Sequence, residues 1–230
     1  MGSPLIFDAP DEPRLTIFQS DHLFPIRRIF CVGRNYEAHA REMGVAVDRS
    51  APFYFTKSRD AFVASGSTIA YPPGTANYHY EMELVVAIGA PAHSVSEQDA
   101  LACVFGYACG LDMTRRDLQM AAREKQRPWD LGKDFEQSAV LAPIVPAETS
   151  GHIEKGAIFL TVNGAERQRA DVAQLIHPTS AIIADLSLYY HLEPGDLIFT
   201  GTPEGVGPVK SGDKIEGGID GLPSVSLTIA

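Results

Sequence analysis

Residues 79–89 read His79-Tyr80-Glu81-Met82-Glu83-Leu84-Val85-Val86-Ala87-Ile88-Gly89. In an extended strand, successive side chains point to opposite faces. Every second residue of this stretch is large and apolar, which predicts one core-facing side made of Tyr80, Met82, Leu84, Val86 and Ile88. The other side begins with His79, Glu81 and Glu83. The pattern therefore predicts a core strand that carries two carboxylates on one face.

Two carboxylates on one face of a strand need a partner. Like charges repel, and burial of an unpaired carboxylate costs on the order of several kcal/mol. Positive charge is therefore expected near Glu81 and Glu83. A divalent metal ion would supply that charge. A neighbouring Arg or Lys, or simple solvation of the face, would also satisfy the two glutamates, and the strand alone leaves these readings open.

The composition limits the classes of function. A chain of 230 residues can form one sizeable domain, and 45% hydrophobic with 21% charged residues is ordinary for a globular protein. The formal net charge of -10 argues against a nucleic-acid or anionic-membrane partner, because phosphates would be repelled over most of the surface. No apolar stretch approaches the roughly 18 residues of a membrane-spanning helix. Small anionic substrates remain possible where local positive charge reverses the field.

The cysteines and the first residues indicate a compartment. Cys31, Cys103 and Cys109 are odd in number and scattered, and Cys31 lies in an apolar run, which favours buried, reduced thiols. The chain begins without a basic segment followed by an apolar run, so no secretory signal is expected. We therefore expect a cytoplasmic protein.

Short strands dominate the predicted elements. Residues 1–24 are Pro-rich and are interpreted as an N-terminal arm, and residues 25–230 as a single domain. Asn163-Gly164 between two strand patterns predicts a hairpin with a type I′ turn. Residues 63–71 are predicted to form one strand, and residues 129–145 an irregular segment.

Three helices are predicted from their terminal signals. Asn35 is expected to cap a helix that runs through Met43, and Thr114 to cap a helix that extends to Glu124. A third, amphipathic helix is expected over residues 178–191.

Further polar residues are candidates for a site. Asp112 lies where a buried strand meets the Thr114 helix, a position typical of catalytic side chains, although an Asp there can also cap its own turn. Arg116, Gln119 and Arg123 share one helix face. His39 and Glu42 are three residues apart on a helix and can touch, as surface pairs also do.

These motifs, taken together and in order, resemble the fumarylacetoacetate hydrolase family. The likeness rests on Glu81-Met82-Glu83, Asp112, Lys133 and Thr200-Gly201-Thr202-Pro203, and it covers residues 27–230. Val32-Gly33-Arg34-Asn35-Tyr36, with His39 and Glu42, resembles the short acylpyruvate hydrolases of that family. The resemblance implies an α+β, mostly β fold: a mixed β-sandwich roll of the family's C-terminal-domain type, with peripheral helices, in a homodimer.

The resemblance also implies a role for each matching residue. The metal ligands are Glu81, Glu83 and Asp112. The catalytic residues are His39, Glu42 and Lys133. The substrate-binding residues are Arg34, Tyr36, Arg116, Gln119, Thr200, Gly201 and Thr202. Three carboxylates suit Mg²⁺ or Mn²⁺, with Ca²⁺ chemically possible, and zinc is disfavoured because no His or Cys stands close to them in the sequence.

The implied activity is metal-dependent hydrolysis of a carbon–carbon bond in an acylpyruvate, a small 2-oxo acid. Fumarylpyruvate is the first candidate, giving fumarate and pyruvate in the degradation of aromatic compounds. The same metal site would also serve oxaloacetate decarboxylation or hydratase and isomerase chemistry on 2-oxo acids. A non-catalytic domain with a structural cation is the alternative from a different class.

Overall fold

The fold is built around the strand that carries the glutamates. The structure is a computed structural model that describes residues 5–44 and 46–230, so residues 1–4 of the predicted arm lie outside the described residues. Its strands are β1 (Arg14–Thr16), β2 (Leu23–Pro25), β3 (Arg28–Gly33), β4 (Phe53–Lys57), β5 (Phe62–Ala64), β6 (Ser67–Ile69), β7 (Tyr78–Tyr80), β8 (Met82–Ile88), β9 (Val104–Asp112), β10 (Thr114–Arg115), β11 (Ala139–Leu141), β12 (Val145–Pro146), β13 (Ala157–Val162), β14 (Ala165–Asp171), β15 (Asp196–Phe199), β16 (Gly207–Val209), β17 (Lys214–Ile219) and β18 (Val225–Ile229).

Short helices lie between these strands. The α-helices are α1 (Glu37–Glu42), α2 (Glu97–Ala100), α3 (Arg116–Glu124), α4 (Asp130–Lys133), α5 (Ala147–Ser150) and α6 (Thr179–Tyr189). Single 3₁₀ turns occur at Arg59–Ala61, Leu101–Cys103 and Val172–Gln174. Within the part of the chain that the structure describes, no helix has the length and apolar character needed to cross a membrane.

Two large sheets form the body of the molecule. The first has the order β4-β3-β15-β8-β9-β11-β5, with β12 also paired to β9, and the second has the order β14-β13-β17-β18-β6. A three-stranded sheet, β10-β7-β16, and the β1-β2 hairpin complete the pairing. Most pairs are antiparallel, but β3 with β15, β5 with β11 and β6 with β18 are parallel. The predicted mostly β class is confirmed.

Strand β8 is buried on both faces, which explains its composition. Met82, Leu84, Val86 and Ile88 belong to a core shared with the second sheet and α6, as the alternation predicted. On the other face, the residues that follow Glu83 are apolar too, and they belong to a second core that includes Val85, Ala87, Leu15, Phe24 and Ile29. Full burial of each large side chain contributes about 1.5–3 kcal/mol, so β8 anchors both cores.

The predicted hairpin is formed, and part of the predicted arm is paired as a strand. Asn163 and Gly164 have φ angles of 52° and 78° between β13 and β14, so the predicted type I′ hairpin is confirmed. In the predicted arm, β1 pairs with β2, and Leu15 is buried in the second core. The division into an arm and one domain stays a prediction.

Four local expectations were wrong. Tyr36, not Asn35, precedes α1, because the Asn35 side chain bonds to distant backbone atoms. Thr114 lies in β10 and donates its hydroxyl hydrogen to Asp112 O, so α3 begins at Arg116 without a side-chain cap. Residues 63–71, predicted to form one strand, split into β5 and β6, which belong to different sheets. Residues 129–145, predicted to be irregular, contain α4.

A buried carboxylate fixes the parallel pairing of β3 with β15. Asp196, fully buried at the start of β15, is the register partner of Arg28. Arg28 donates to its two oxygens from Nε at 3.0 Å and Nη2 at 2.6 Å, and Arg27 donates from Nη1 at 3.1 Å. The backbone N–H of Glu193 donates at 2.9 Å. These bonds satisfy a charge that would otherwise be costly to bury.

We expect Arg28→Ala to lower the free energy of unfolding by about 2 kcal/mol, because it removes charge-assisted hydrogen bonds from a buried carboxylate. Urea denaturation followed by circular dichroism measures this. The matched control is Arg169→Ala, since Arg169 pairs with Glu166 on the exposed surface and its removal should leave the midpoint unchanged. Equal midpoints for both variants would contradict the role of Asp196.

Candidate active site

Three buried carboxylates meet at the junction of β7, β8 and β9. Glu83 lies on β8, Asp112 ends β9, and Glu81 precedes β8 and accepts the N–H of Asp112 at its backbone oxygen, at 2.9 Å. Each residue offers a ligand oxygen within 4.8 Å of the others. Their exposures are 4% for Glu81, 2% for Glu83 and 0% for Asp112. The predicted shared face of Glu81 and Glu83 is therefore formed.

Three cations from separate elements lie against these carboxylates. Lys133 Nζ, at the end of α4, is 2.6 Å from both Glu81 Oε2 and Asp112 Oδ2. Arg116 of α3 binds Glu81 Oε1, and Lys57 of β4 lies 2.9 Å from Asp112 Oδ1. The positive charge that the sequence predicted near the two glutamates is present at Glu81, and Asp112 has cationic partners too, whereas Glu83 has none within the described residues.

The pKa values of Glu81 and Glu83 are shifted in opposite directions. Burial favours a higher pKa for Glu81, but the charges of Lys133 and Arg116 outweigh it and hold this pKa far below its ordinary value. Burial raises the pKa of Glu83 well above its ordinary value, and repulsion from Asp112 and Glu81 adds to this rise. Burial acts to lower the pKa of Lys133, but Asp112 and Glu81 raise it overall.

The surroundings of Glu83 suit a cation ligand. Its one hydrogen-bond donor is the backbone N–H of Gly201, at 2.7 Å, and it forms no ion pair within residues 5–44 and 46–230. A buried carboxylate with a single neutral donor is poorly compensated. Oxygen ligands of this kind fit a hard divalent cation, so the residues present are compatible with Mg²⁺ or Mn²⁺.

The His39–Glu42 pair lies beside the carboxylates. His39 is 6% exposed, and its Nδ1 lies 3.1 Å from Glu42 Oε2, so the contact predicted from the spacing is confirmed. Glu42 Oε1 also accepts the backbone N–H of Gly205 at 3.1 Å, which ties α1 to the loop after β15. The hydrogen bond from His39 is the main cause that lowers the pKa of Glu42, against the effect of burial.

One pocket collects most of the residues that the resemblance singled out. On its wall are Arg34, His39, Glu81, Glu83, Asp112, Arg116, Gln119, Lys133 and Thr202. The hydroxyl of Thr200 donates to Leu84 O at 2.9 Å, and the N–H of Gly201 is used by Glu83, so both residues brace the wall. Tyr36 is buried, and its hydroxyl has no hydrogen-bond partner in the described part of the chain.

Sequence reasoning missed several residues at this site. Lys57 is in phase with Phe53 and Phe55 on β4, and a lysine on the apolar face of a strand was the available signal. Phe55 and Trp129 were missed as well. They line the pocket together with Arg123, which the polar helix face had singled out.

The buried amide side chains of Gln168 and Asn35 form hydrogen bonds with the backbone and side chains that surround the site. Gln168 Nε2 donates to Thr202 Oγ1 at 2.9 Å, and Gln168 Oε1 accepts the N–H of Met82 at 3.0 Å. Asn35 Nδ2 donates to Thr200 O at 2.8 Å and to His177 O at 2.9 Å. No local pattern marks such long-range bonds.

The fold and this set of acidic and basic residues define a family. Residues 28–230 match the model of the C-terminal domain of fumarylacetoacetate (FAA) hydrolase, and the chain belongs to this family. The family and fold type implied by the sequence motifs are confirmed.

Relatives within the family carry two activities. The chain is 58% identical to a fumarylpyruvate hydrolase of Ralstonia sp over 189 residues, which are 81% of this chain and 98% of that protein. It is 43% identical to the human mitochondrial oxaloacetate tautomerase FAHD1 over 203 residues, 88% of this chain and 91% of the relative. The crystal structure of fumarylpyruvate hydrolase from Pseudomonas aeruginosa in complex with Mn²⁺ and pyruvate matches with a TM-score of 0.96 and 51% identity, covering 99% of each chain.

We expect Glu83→Gln to weaken Mn²⁺ binding by at least about 10-fold, since loss of even an indirect partner of a metal ligand commonly costs about 10–100-fold. Electron paramagnetic resonance titration of protein freed of metal with EDTA measures the affinity. The matched control is Glu216→Gln, which alters an exposed glutamate paired with Lys214.

The same variant should melt at a higher temperature than the wild type in EDTA, by a margin that grows as the pH rises through the raised pKa of Glu83 and the wild-type carboxyl becomes charged. The neutral amide removes repulsion from Asp112 and Glu81, and each kcal/mol relieved raises Tm by about 2–4 °C in a chain of this size. Unchanged Mn²⁺ affinity would show that Glu83 is not a ligand, and a lower Tm in EDTA would contradict the electrostatic account.

Proposed function

We propose that this chain is a divalent-metal-dependent hydrolase that splits fumarylpyruvate and water into fumarate and pyruvate. The observation that carries the proposal is the assembly, in one pocket, of three buried carboxylates with a His–Glu pair and Arg116. The similarity to fumarylpyruvate hydrolases, at 58% and 51% identity, agrees with this function and with the sequence-based expectation.

Glu81, Glu83 and Asp112 would hold the metal ion. Mn²⁺ or Mg²⁺ suits this all-oxygen set, and Ca²⁺ is chemically possible. When bound, such an ion supplies positive charge for the oxygens of a 2-oxo acid and for the negative charge that develops during bond cleavage.

Residues of α3 would orient the substrate. The side-chain oxygen of Gln119 accepts a hydrogen bond from Arg116, which leaves the amide N–H₂ of Gln119 free to donate to a substrate oxygen. Thr202 and Arg34 line the same pocket. In this proposal Thr200 and Gly201 hold the loop, and Tyr36 supports α1 from the core.

His39 would move the proton. With its Nδ1–H donated to Glu42, the Nε2 atom of His39 carries the lone pair and accepts a proton from water. The water oxygen bonds to the acyl carbonyl carbon. The bond from that carbon to the pyruvyl methylene carbon then breaks, the electron pair stays on the methylene carbon, and the proton from His39 converts it into the methyl group of pyruvate. The acyl half leaves as fumarate.

Lys133 would stabilise charge on the acyl oxygen. Two of its three N–H donors are directed at Glu81 and Asp112, which leaves one for the oxyanion that forms when water adds. A fully buried ammonium fixed by two carboxylates needs no reorganisation to do this.

Oxaloacetate tautomerisation is the second candidate. It is supported by the 43% identity to the human oxaloacetate tautomerase, and it would use the same proton-transfer residues on another 2-oxo acid. Decarboxylation of oxaloacetate would likewise start from the shared metal site. A purely structural cation site would not require His39, Glu42 or Gln119.

We expect pyruvate release from fumarylpyruvate, coupled to lactate dehydrogenase, to be fast with Mn²⁺ and abolished by EDTA. His39→Asn should lower turnover by about 100-fold or more at unchanged Mn²⁺ affinity, because general-base catalysis contributes about that much. His22→Asn, at an exposed histidine, is the control. Ultraviolet absorbance of oxaloacetate, in parallel, reports tautomerisation.

Activity on oxaloacetate alone would transfer the function to the second candidate. Turnover of His39→Asn within a few-fold of the wild type would remove His39 from the mechanism.

We further propose that the chain forms a homodimer, and that it acts in the cytoplasm. Three large side chains that are consecutive in sequence are exposed at the end of α6: Leu188 at 61%, Tyr189 at 70% and Tyr190 at 41%. A contiguous apolar patch is typical of a protein interface, whereas single exposed apolar residues are not.

Sedimentation equilibrium should give a mass near twice 24.9 kDa for the wild type. Leu188→Asp with Tyr189→Asp should give the monomer mass, because two charges would be buried in the interface. Leu23→Asp, at an exposed leucine on β2, serves as the control. A monomeric wild type would contradict the dimer, and a dimeric double variant would exclude α6 as the interface.

A further inference from the structure

Two arginines on the pocket wall lack an acidic partner. Arg34, just after β3, and Arg123, on the last turn of α3, both line the pocket that contains the three carboxylates. Neither is in an ion pair within the described ranges 5–44 and 46–230. Arg123 donates one hydrogen bond, from Nη1 to Met43 O at 3.1 Å, which leaves most of its donors free.

The other cations of this site are already matched by carboxylates. Lys57, Lys133 and Arg116 equal Glu81, Glu83 and Asp112 in number and charge. Even when Glu42 is counted with the acidic residues, Arg34 and Arg123 leave the site with a net positive charge, in a protein whose formal net charge is -10. A locally positive electrostatic potential attracts an anion into the pocket.

Arg34 is held in place by aromatic rings. Its guanidinium carbon lies 5.3 Å from the ring centroid of Phe53 and 5.6 Å from that of Trp129. The two rings pack edge to face at 4.9 Å. The backbone of Arg34 has a φ of 62°, a left-handed conformation that is uncommon for a non-glycine residue. The guanidinium is thus fixed before any ligand binds.

The two positive charges also disfavour each other. Burial lowers the pKa of Arg34, and the nearby charge of Arg123 lowers it further. Placing a carboxylate between two guanidinium groups removes this repulsion and forms charge-assisted, often bidentate, hydrogen bonds.

The space in the pocket indicates which part of a substrate reaches these arginines. The inner pocket at the carboxylates holds about 30 Å³, which is room for about two water molecules. Next to it lies a cleft of about 540 Å³. Arg34, Phe55, Arg123 and Trp129 line both spaces, so they form the boundary between them. A substrate fixed by its 2-oxo acid end at the carboxylates extends its other end across this boundary.

We propose that Arg34 and Arg123 bind the second carboxylate of the substrate, at the far end of its acyl chain, and thereby select dicarboxylic acylpyruvates. This inference rests on the proposed function, since it assigns the acyl end of the same substrate. Arg123 is thus added to the substrate-binding residues, and Arg34 receives a specific role.

A matched pair of substrates tests the selection. Fumarylpyruvate and crotonylpyruvate differ only in the distal group, a carboxylate in the first and a methyl in the second. Arg34→Gln and Arg123→Gln should each lower kcat/KM for fumarylpyruvate by at least about 10-fold, and that for crotonylpyruvate by less than about 3-fold. Arg14→Gln is the control, because Arg14 is exposed on β1 and lines neither space. Equal losses on both substrates, or no loss, would overturn the proposal.

A binding experiment decides the question without turnover. Trp129 is the only tryptophan in the chain and contacts Arg34, so its fluorescence reports a ligand at the arginines. With Mn²⁺ present, fumarate should bind the wild type at least about 10-fold more tightly than crotonate, which has a methyl group in place of one carboxylate. The Arg34→Gln and Arg123→Gln variants should both abolish this preference, and Arg14→Gln should keep it.

The two experiments separate the possible failures. If the wild type hydrolyses neither acylpyruvate but still prefers fumarate through the arginines, the proposed function fails and the carboxylate site stands. If hydrolysis is fast and fumarate is bound no better than crotonate, or equally well by the Gln variants, the carboxylate site fails and the hydrolase function stands.

Discussion

Three carboxylates buried within 4.8 Å of one another are the constraint on which this structure depends. Removal of such charges from water costs on the order of several kcal/mol for each ion, and their mutual repulsion adds to that cost. The chain offsets it with cations that come from three different elements: Lys57 from β4, Arg116 from α3 and Lys133 from α4. A stable fold therefore has to bring those elements to one point, and the sheet order does so.

The connections of the sheet explain how this is achieved. Strands β8 and β9 are neighbours, which places Glu83 beside the end of β9 at Asp112. Strand β15 is on the other side of β8, so the loop that follows it can donate the N–H of Gly201 to Glu83. The same loop donates the N–H of Gly205 to Glu42. The metal-ligand candidates and the His39–Glu42 pair are thus joined through one glycine-rich loop.

The sequence allowed the acidic residues to be predicted, because their signal is local. Glu81 and Glu83 interrupt an otherwise apolar strand pattern, and Asp112 ends the next buried strand. The remainder depends on contacts that are distant in sequence. Asn35 has the composition of a helix cap, but its amide bonds to residues 177 and 200, and this tertiary demand overrides local preference. Helix α4 is four residues long, too short for a periodic pattern, although it positions Lys133. Lys57 was missed because a lysine is normally exposed unless an acidic residue pairs with it, and its partner Asp112 is distant in sequence.

The chemistry of the site also shows where selectivity must arise. Hydrolysis of an acylpyruvate and tautomerisation of oxaloacetate both place negative charge on the oxygens of a 2-oxo acid, so carboxylates that hold a metal ion serve both reactions equally. The two substrates differ at the opposite end, where an acylpyruvate carries its acyl group. The groups that can sense this difference are those at the boundary between the inner pocket and the outer cleft, Arg34, Phe55, Arg123 and Trp129. Arg34 follows β3, Phe55 lies on β4, Arg123 lies on α3 and Trp129 precedes α4, so all four are outside the strands that bear the acidic residues. Substrate choice in this fold can therefore change by substitution at that boundary, while the buried carboxylates and their cationic partners remain the same.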